Sequence, residues 1–275
     1  MMATGGAQFP ASLLLVGAGR MGGALLRGWL DLGLEGRRIS VLEPQPSPQI
    51  RDLCEAHGVS LGLPDRPPEV LVLAIKPQML EEAAPALLAF APEATLVVSI
   101  LAGKRIADIA ARLPLARAIV RAMPNLPAAI GMGIAGAVAN GAVTAAQRAC
   151  ADRLLTAVGR VEWLADERQV DAVTAVSGSG PAYVFHLTEC LAAAGRAAGL
   201  PSEVAERLAR ATVEGAGALL ASEPETSPAQ LRLDVTSPGG TTAAALVVLL
   251  GEDGLAPLME RAVLAAMRRA RELAG

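Results

Sequence analysis

Residues 12–30 read SLLLVGAGRMGGALLRGWL: a short apolar run, three closely spaced glycines and an apolar-rich helical segment in one unbroken unit. Leu13 to Val16 has the pattern of a buried parallel strand, an apolar run that stops at glycine. Gly17, Gly19 and Gly22 follow in G-x-G-x-x-G register. Gly17 permits the tight turn out of the strand, Gly19 lets the backbone come close to a pyrophosphate, and Gly22 lets the new helix pack against the strand. A helix starting near Arg20 points its unpaired amides and its dipole at the phosphates, so Gly17, Ala18, Gly19, Arg20, Met21 and Gly22 form a candidate dinucleotide contact. Such glycines also occur in ordinary turns of α/β domains. Here Ile39 to Leu42 supplies a second strand that ends in Glu43, where a ribose-binding carboxylate belongs.

Around this unit the chain has 275 residues, 52% of them hydrophobic, enough to build the core of one large or two modest domains. A net charge of −3, no basic run and only 2% aromatic residues argue against a nucleic-acid partner. The first residues, MMATGGAQFPA, lack the basic start of a secretion signal, and the longest purely apolar run, Ala243 to Leu250, is far short of a membrane span. The expected location is the cytoplasm, with no membrane partner. Cys54, Cys150 and Cys190 are odd in number and far apart, and read as small buried hydrophobes in a reducing compartment. His57 and His186 are the only histidines, too isolated for a metal centre, and His186 reads as a packed core residue. No metal is expected.

After Glu43 the sequence alternates strand and helix, the mark of a parallel sheet with helices on both faces. Strands are expected at Val70–Ile75, Leu96–Ile100, Ala118–Arg121, Ile134–Val138 and Arg160–Leu164, and helices at Gln78–Ala89, Ile106–Leu113 and Thr144–Val158. Right-handed crossovers place the strand ends Gly17, Glu43, Lys76, Ala102 and Asn125 along one edge, where a doubly wound sheet binds its ligand. From about Asp166 the strand signals stop. A helix around Asp171–Val176 precedes helices at Tyr183–Ala198, Ser202–Leu220, Pro228–Val235, Thr241–Leu250 and Leu255–Leu273. The expected architecture is a Rossmann-type doubly wound α/β domain over residues 1–165, followed by an all-α substrate-binding and dimerisation domain over residues 166–275. Helices that are apolar nearly all round but carry mostly small side chains make a thin core, so a second subunit is expected to complete it.

Two glycine-rich turns punctuate the helical half. Ser177-Gly178-Ser179-Gly180-Pro181 suits helix capping and ligand contact equally. Thr236-Ser237-Pro238-Gly239-Gly240-Thr241-Thr242 is more informative, because it puts hydroxyls and permissive glycines at the N-terminus of an apolar helix. Free amides of Gly240 to Thr242 and the helix dipole would hold a carboxylate without an arginine. A further clue is what the chain lacks. Reducing a carbonyl calls for a strong acid to protonate the developing alkoxide, yet the only lysines are Lys76 and Lys104 and the sole tyrosine is Tyr183. An iminium arrives with its proton already on nitrogen, so imine reduction fits these residues better than ketone reduction.

The stretches VGAGRMG, AIKP at Ala74–Pro77, MPN at Met123–Asn125, AVSGSGPAYVF at Ala175–Phe185 and VTSPGGTT at Val235–Thr242 resemble, in order and across nearly the whole chain, the successive motifs of pyrroline-5-carboxylate reductases. That resemblance implies reduction of 1-pyrroline-5-carboxylate to L-proline with NADPH or NADH, by a homodimer or a higher homo-oligomer such as a decamer. It places Ala74, Ile75, Lys76, Pro77, Ala102 and Asn125 with the fingerprint beside the cofactor. Ser237, Gly239, Gly240, Thr241 and Thr242 would bind the substrate, with Thr242 hydrogen-bonding the ring nitrogen as the catalytic residue. Glu167 resembles a family position near the substrate, supplied by the partner subunit.

Some positions depart from the family. Glu43 stands where many members carry serine or another phosphate-compatible residue, which favours the free ribose hydroxyls of NADH. The segment between Val59 and Val70 is short and offers no counterpart of the family's adenosine-side asparagine, and Leu126 stands where threonine is frequent. Two other readings compete. A β-hydroxyacid dehydrogenase shares the G-x-G-x-M-G start but uses a helical-domain lysine, and none occurs beyond Lys104. A non-catalytic nucleotide sensor has no need of the Thr236–Thr242 cradle.

Overall fold

Alternation decides the first strand. In the computed structural model, which describes residues 9–274, Leu13 and Leu15 enter one buried cluster while Leu14 and Val16 enter another. The strand β1 (Leu13–Val16) is therefore covered on both faces. It leads into α1 (Arg20–Asp31), β2 (Ile39–Leu42), α2 (Pro48–His57), the two-residue β3 (Ser60–Leu61) and β4 (Val70–Leu73). Next come α3 (Leu80–Leu87), β5 (Leu96–Ser99), α4 (Ile106–Arg112), β6 (Ala118–Met123), β7 (Gly133–Ala139), α5 (Ala145–Thr156) and β8 (Gly159–Trp163). The eight strands lie in the order β3-β2-β1-β4-β5-β6-β7-β8. The order reverses direction between β1 and β4, the place where doubly wound sheets open a ligand crevice.

The sheet is not parallel throughout. The first six strands run together, but β7 is antiparallel to β6 and β8 runs with β7. The reason is chain length: only residues 124 to 132 separate β6 from β7, and they hold a single 3₁₀ turn, Leu126–Ile130. A parallel return needs a crossover of a dozen residues or more.

Near its C-terminal end α1 is held against α5. The buried Trp29 indole donates to the Leu154 carbonyl on α5 at 2.8 Å. A Cβ on Gly28 would lie 2.5 Å from the Ala157 carbonyl oxygen, so the helix and the end of α5 touch backbone to backbone.

Several expectations need correction. No element was expected between Glu43 and Val70, yet α2 is well formed there, with Ser47 accepting from the Ile50 amide at 3.3 Å, Pro48 in the first turn and Gly58 left-handed at the C-cap. The helix expected over Gln78–Ala89 is α3 flanked by 3₁₀ turns at Pro77–Met79 and Leu88–Phe90. Cys54 is buried as expected, but Cys150 is half-buried and Cys190 exposed.

The contacts divide the chain into two units, one reaching to Gly178 and taking in Met267 onward, the other Ser179–Ala266. The first includes α6 (Val170–Val173), continued by a π turn over Thr174–Gly178. The second holds α7 (Gly180–Ala197), α8 (Ser202–Ser222), α9 (Pro228–Asp234), α10 (Thr241–Leu249) and most of α11 (Leu255–Ala274). Among its described residues only Ala192, Ala205 and Ala209 are buried apolar side chains. His186 is not the packed residue expected: its side chain is 75% exposed in the single chain and pairs with Glu189 at 3.0 Å. No described helix is long and apolar enough to cross a membrane.

Candidate functional site

The fingerprint folds because two of its glycines have no alternative. Gly17 sits at φ 92°, and a Cβ there would meet the Ala74 carbonyl and the Ile75 amide at 2.8 Å. A Cβ on Gly22 would lie 2.1 Å from the Gly17 carbonyl oxygen, so this glycine lets α1 pack on the turn beneath it. Gly19 differs, since a Cβ there would meet nothing within 4 Å: it faces open space. The turn is tied to its neighbours by Gly17 N–H to Leu42 O at 2.9 Å and Ala74 N–H to Val16 O at 2.8 Å. Gly19 caps α1 with no side-chain hydrogen bond, leaving first-turn amides for an anion.

These pieces line a cavity of about 890 Å³. Its walls come from Gly17, Ala18, Gly19 and Arg20 on the fingerprint, Glu43, Gln45 and Ser47 after β2, and Ala74, Ile75 and Lys76 after β4. A dinucleotide crevice is expected at this point of the strand order, and the residues fit one. Glu43 is fixed: one carboxylate oxygen accepts from the Ala18 amide at 3.0 Å and the other from the Gln45 amide at 3.2 Å.

Other predicted residues lie outside this cavity. Met21 is half-buried and packs on the core, Gly22 is buried behind the turn, and Pro77 opens a 3₁₀ turn. Ala102 is exposed in the loop after β5. Asn125 is 9% exposed and accepts from the Ile134 amide at 2.9 Å, fixing the start of β7. The sequence reading missed Arg27, Ser47, Gln49, Met79 and Ala129, which also line the cavity. The Ser47-Pro48 pair was the available signal, because serine before a proline at a helix start marks a cap.

In the second unit the expected cradle exists as a turn. Gly239 is left-handed at φ 69°, and a Cβ on Gly240 would lie 2.3 Å from the Ser237 hydroxyl oxygen. One correction applies: the Gly240 amide is not free but donates to the Ser237 carbonyl at 3.1 Å. Gly240 caps α10 without a side-chain bond, so Thr241 and Thr242 open the helix with their amides directed off its N-terminus. Among the described residues no hydrogen bond engages the hydroxyls of Ser237, Thr241 or Thr242, whereas Thr236 is turned back onto the Arg232 carbonyl at 2.6 Å.

Glu167 belongs to the first unit. Its Oε1 accepts from the Ile106 amide at 2.8 Å and from Arg121 at 3.0 Å, all within the first unit. Among the described residues no group of three or more histidine, cysteine or acidic side chains is placed to hold a metal ion.

Comparison with known proteins covers nearly the whole chain. A family model described as pyrroline-5-carboxylate reductase dimerisation matches residues 167–273, and one described as NADP oxidoreductase, coenzyme F420-dependent, matches residues 12–103. The pyrroline-5-carboxylate reductase of Pseudomonas aeruginosa is 40% identical over 95% of this chain and 96% of its own. A pyrroline-5-carboxylate reductase structure from Coxiella burnetii superposes with a TM-score of 0.88 at 36% identity, over 97% of this chain and 99% of that one. A Plasmodium falciparum pyrroline carboxylate reductase solved with NADP bound gives 0.76 at 25% identity, over 96% and 98%. With relatives this similar from end to end, the chain belongs to the pyrroline-5-carboxylate reductase family.

Proposed function

We propose that this protein reduces 1-pyrroline-5-carboxylate to L-proline, with residues 1–165 binding the dinucleotide and residues 166–275 binding the imine and joining the subunits. One observation carries the reading. A chain similar to named reductases over 95% of its length keeps both an uncapped fingerprint helix and a glycine-built turn whose amides open α10.

Bound nicotinamide supplies the hydride. Gly17 to Gly22 hold the pyrophosphate on the amides of α1, with Ala74 to Pro77, Ala102 and Asn125 completing the cofactor side. The amides of Thr241 and Thr242, supported by Ser237, Gly239 and Gly240, seat the substrate carboxylate at the helix dipole. The Thr242 hydroxyl orients the ring nitrogen. No protein acid is required, because the iminium already carries its proton, and this agrees with a chain whose only lysines are Lys76 and Lys104.

NADH is the preferred donor. The Ala18 and Gln45 amides hold the Glu43 carboxylate at the crevice, where its charge repels a 2′-phosphate. The Plasmodium relative was solved with NADP, which makes the preference a property to be measured for this chain. The smallest working assembly is a homodimer, supported by the apolar side chains that the second unit leaves exposed. Sedimentation separates a dimer from a decamer. The enzyme works in the cytoplasm, a placement supported by three unpaired cysteines.

The test is oxidation of NADH or NADPH on adding 1-pyrroline-5-carboxylate, with 3-hydroxyisobutyrate plus NAD as the control. Turnover of the imine with NADH as the better donor is expected. Turnover of the hydroxy acid alone would overturn the reaction, and a preference for NADPH would overturn the role of Glu43.

A further inference from the structure

Two buried polar side chains stand side by side in the sheet. Ser99 on β5 and Arg121 on β6 are register partners, 0% and 4% exposed. Each governs one end of the same loop. The Ser99 hydroxyl accepts from the Leu101 amide at 3.3 Å. Arg121 pairs with Glu167 at 3.0 Å, and the same carboxylate oxygen accepts from the Ile106 amide at 2.8 Å, the first amide of α4. Residues 101 to 106 are thus pinned at both ends, with a left-handed Gly103 (φ 73°) between them. That loop carries Ala102 at the carboxyl end of β5, on the edge the proposed reading gives to the cofactor. A guanidinium so deeply buried is tolerated only when paired, and here its partner lies 46 residues away in sequence.

We infer that Arg121 is a positioning residue, which through Glu167 holds the Leu101–Arg105 loop in the conformation that receives NADH, and that Glu167 serves its own subunit rather than the substrate of a neighbour. Losing the carboxylate frees the Ile106 amide and leaves Arg121 unpaired, so the loop loosens while the Thr241 turn, in the other unit, keeps its own hydrogen bonds. The link to NADH rests on the proposed cofactor role of Ala102, and the clamp itself is a separate observation.

The test compares Glu167→Ala, Glu167→Gln and Arg121→Lys in the full-length enzyme, measuring KM for NADH, KM for the imine and hydrogen exchange of the 100–107 segment. Loss of a charge-assisted bond predicts a rise in KM for NADH of about tenfold in Glu167→Ala. KM for the imine stays within about twofold and exchange in the segment quickens. Glu167→Gln keeps an acceptor for Ile106 and rescues most of the loss. A rise in KM for the imine alone, or an unchanged KM for NADH, overturns the inference. If Glu167→Ala does not fold, Arg121→Lys decides: it must quicken exchange at 100–107 and raise KM for NADH, and wild-type values for both measurements overturn the inference. Ala102→Phe separates the two layers. An unchanged KM for NADH there sinks the cofactor role of Ala102, while faster exchange in the Glu167 variants still reports the clamp.

Discussion

The two units draw on similarly apolar sequence and do opposite things with it. In the first, Leu13, Leu15, Leu25, Leu26, Trp29 and Leu71 are all at 1% exposure or less. In the second the buried apolar residues described are three alanines, while Phe185 is 57% and Val247 75% exposed. A sheet can bury both faces under its own helices. A bundle of alanine-rich helices cannot, because side chains that small let helices approach without filling the space between them. The first unit is complete in one copy of the chain, and the second presupposes another copy.

Two substitutions test that contrast most severely. Trp29→Ala removes a buried ring and leaves the Leu154 carbonyl without its donor, so it should cost about 3–5 kcal/mol at any protein concentration. Phe185→Asp alters a side chain exposed in the single chain, where surface changes cost within about 0.5 kcal/mol, yet across a subunit interface it should cost about 2–4 kcal/mol. Denaturation at several protein concentrations distinguishes them: the Phe185 variant should lose the concentration dependence that the wild type shows. A concentration-independent wild type would break the comparison.

Within the first unit, Gly22→Ala forces its methyl against backbone 2.1 Å away. We expect a loss of about 1–3 kcal/mol in stability, with weaker NADH binding seen by fluorescence titration. In the second unit, Thr242→Ala should lower kcat by about three- to tenfold, the value of one neutral hydrogen bond, and leave NADH affinity as it was. A fall in NADH affinity in that variant would put Thr242 on the cofactor side. Glu43→Ser should shift the ratio of kcat/KM values toward NADPH by about tenfold, with the imine KM unchanged.

The mildest probe is thiol labelling. Burial, with the nearby Glu69 charge, pushes the Cys150 thiol up to about 11, and burial also raises Cys54. Both folded-state values lie above those of the unfolded chain. The stability that depends on these thiols staying protonated is therefore fully present below the unfolded-state thiol value and is lost as pH rises from there through the folded-state values. At neutral pH neither should react quickly with a maleimide. Cys190, exposed on α7, should label first in dilute protein and more slowly as subunits associate.

How much of this the residues announced depends on the range of the interaction. The fingerprint, β1, β2 and the helix starts at Ser202, Pro228 and Thr241 were legible, because glycine, proline and apolar period act within a few residues. α2 was not, since its buried stripe is just Ile50 and Cys54 in an otherwise polar segment. The reversal at β7 was hidden for a different reason: alternation fixes faces, and only the connection length tells direction. The clamp of Arg121 on Glu167 lay beyond reach, because nothing local to either residue points to the other. His186 looked like core because its helix is apolar, but the packing of α8 on α7 leaves His186 exposed in the single chain.

The bond from Trp29 to Leu154 bears on how the protein is made. The helix that opens the cofactor crevice is synthesised well before its anchor, which emerges 125 residues later. At ribosomal speeds of about 5–20 residues per second, that is a delay of roughly ten seconds. During that time a nascent chain exposes the Leu25–Trp29 surface with nothing to receive it. Fragments ending before Leu154 should be held by chaperones rather than by NADH, and the ability to bind the dinucleotide should switch on late and all at once as α5 leaves the tunnel.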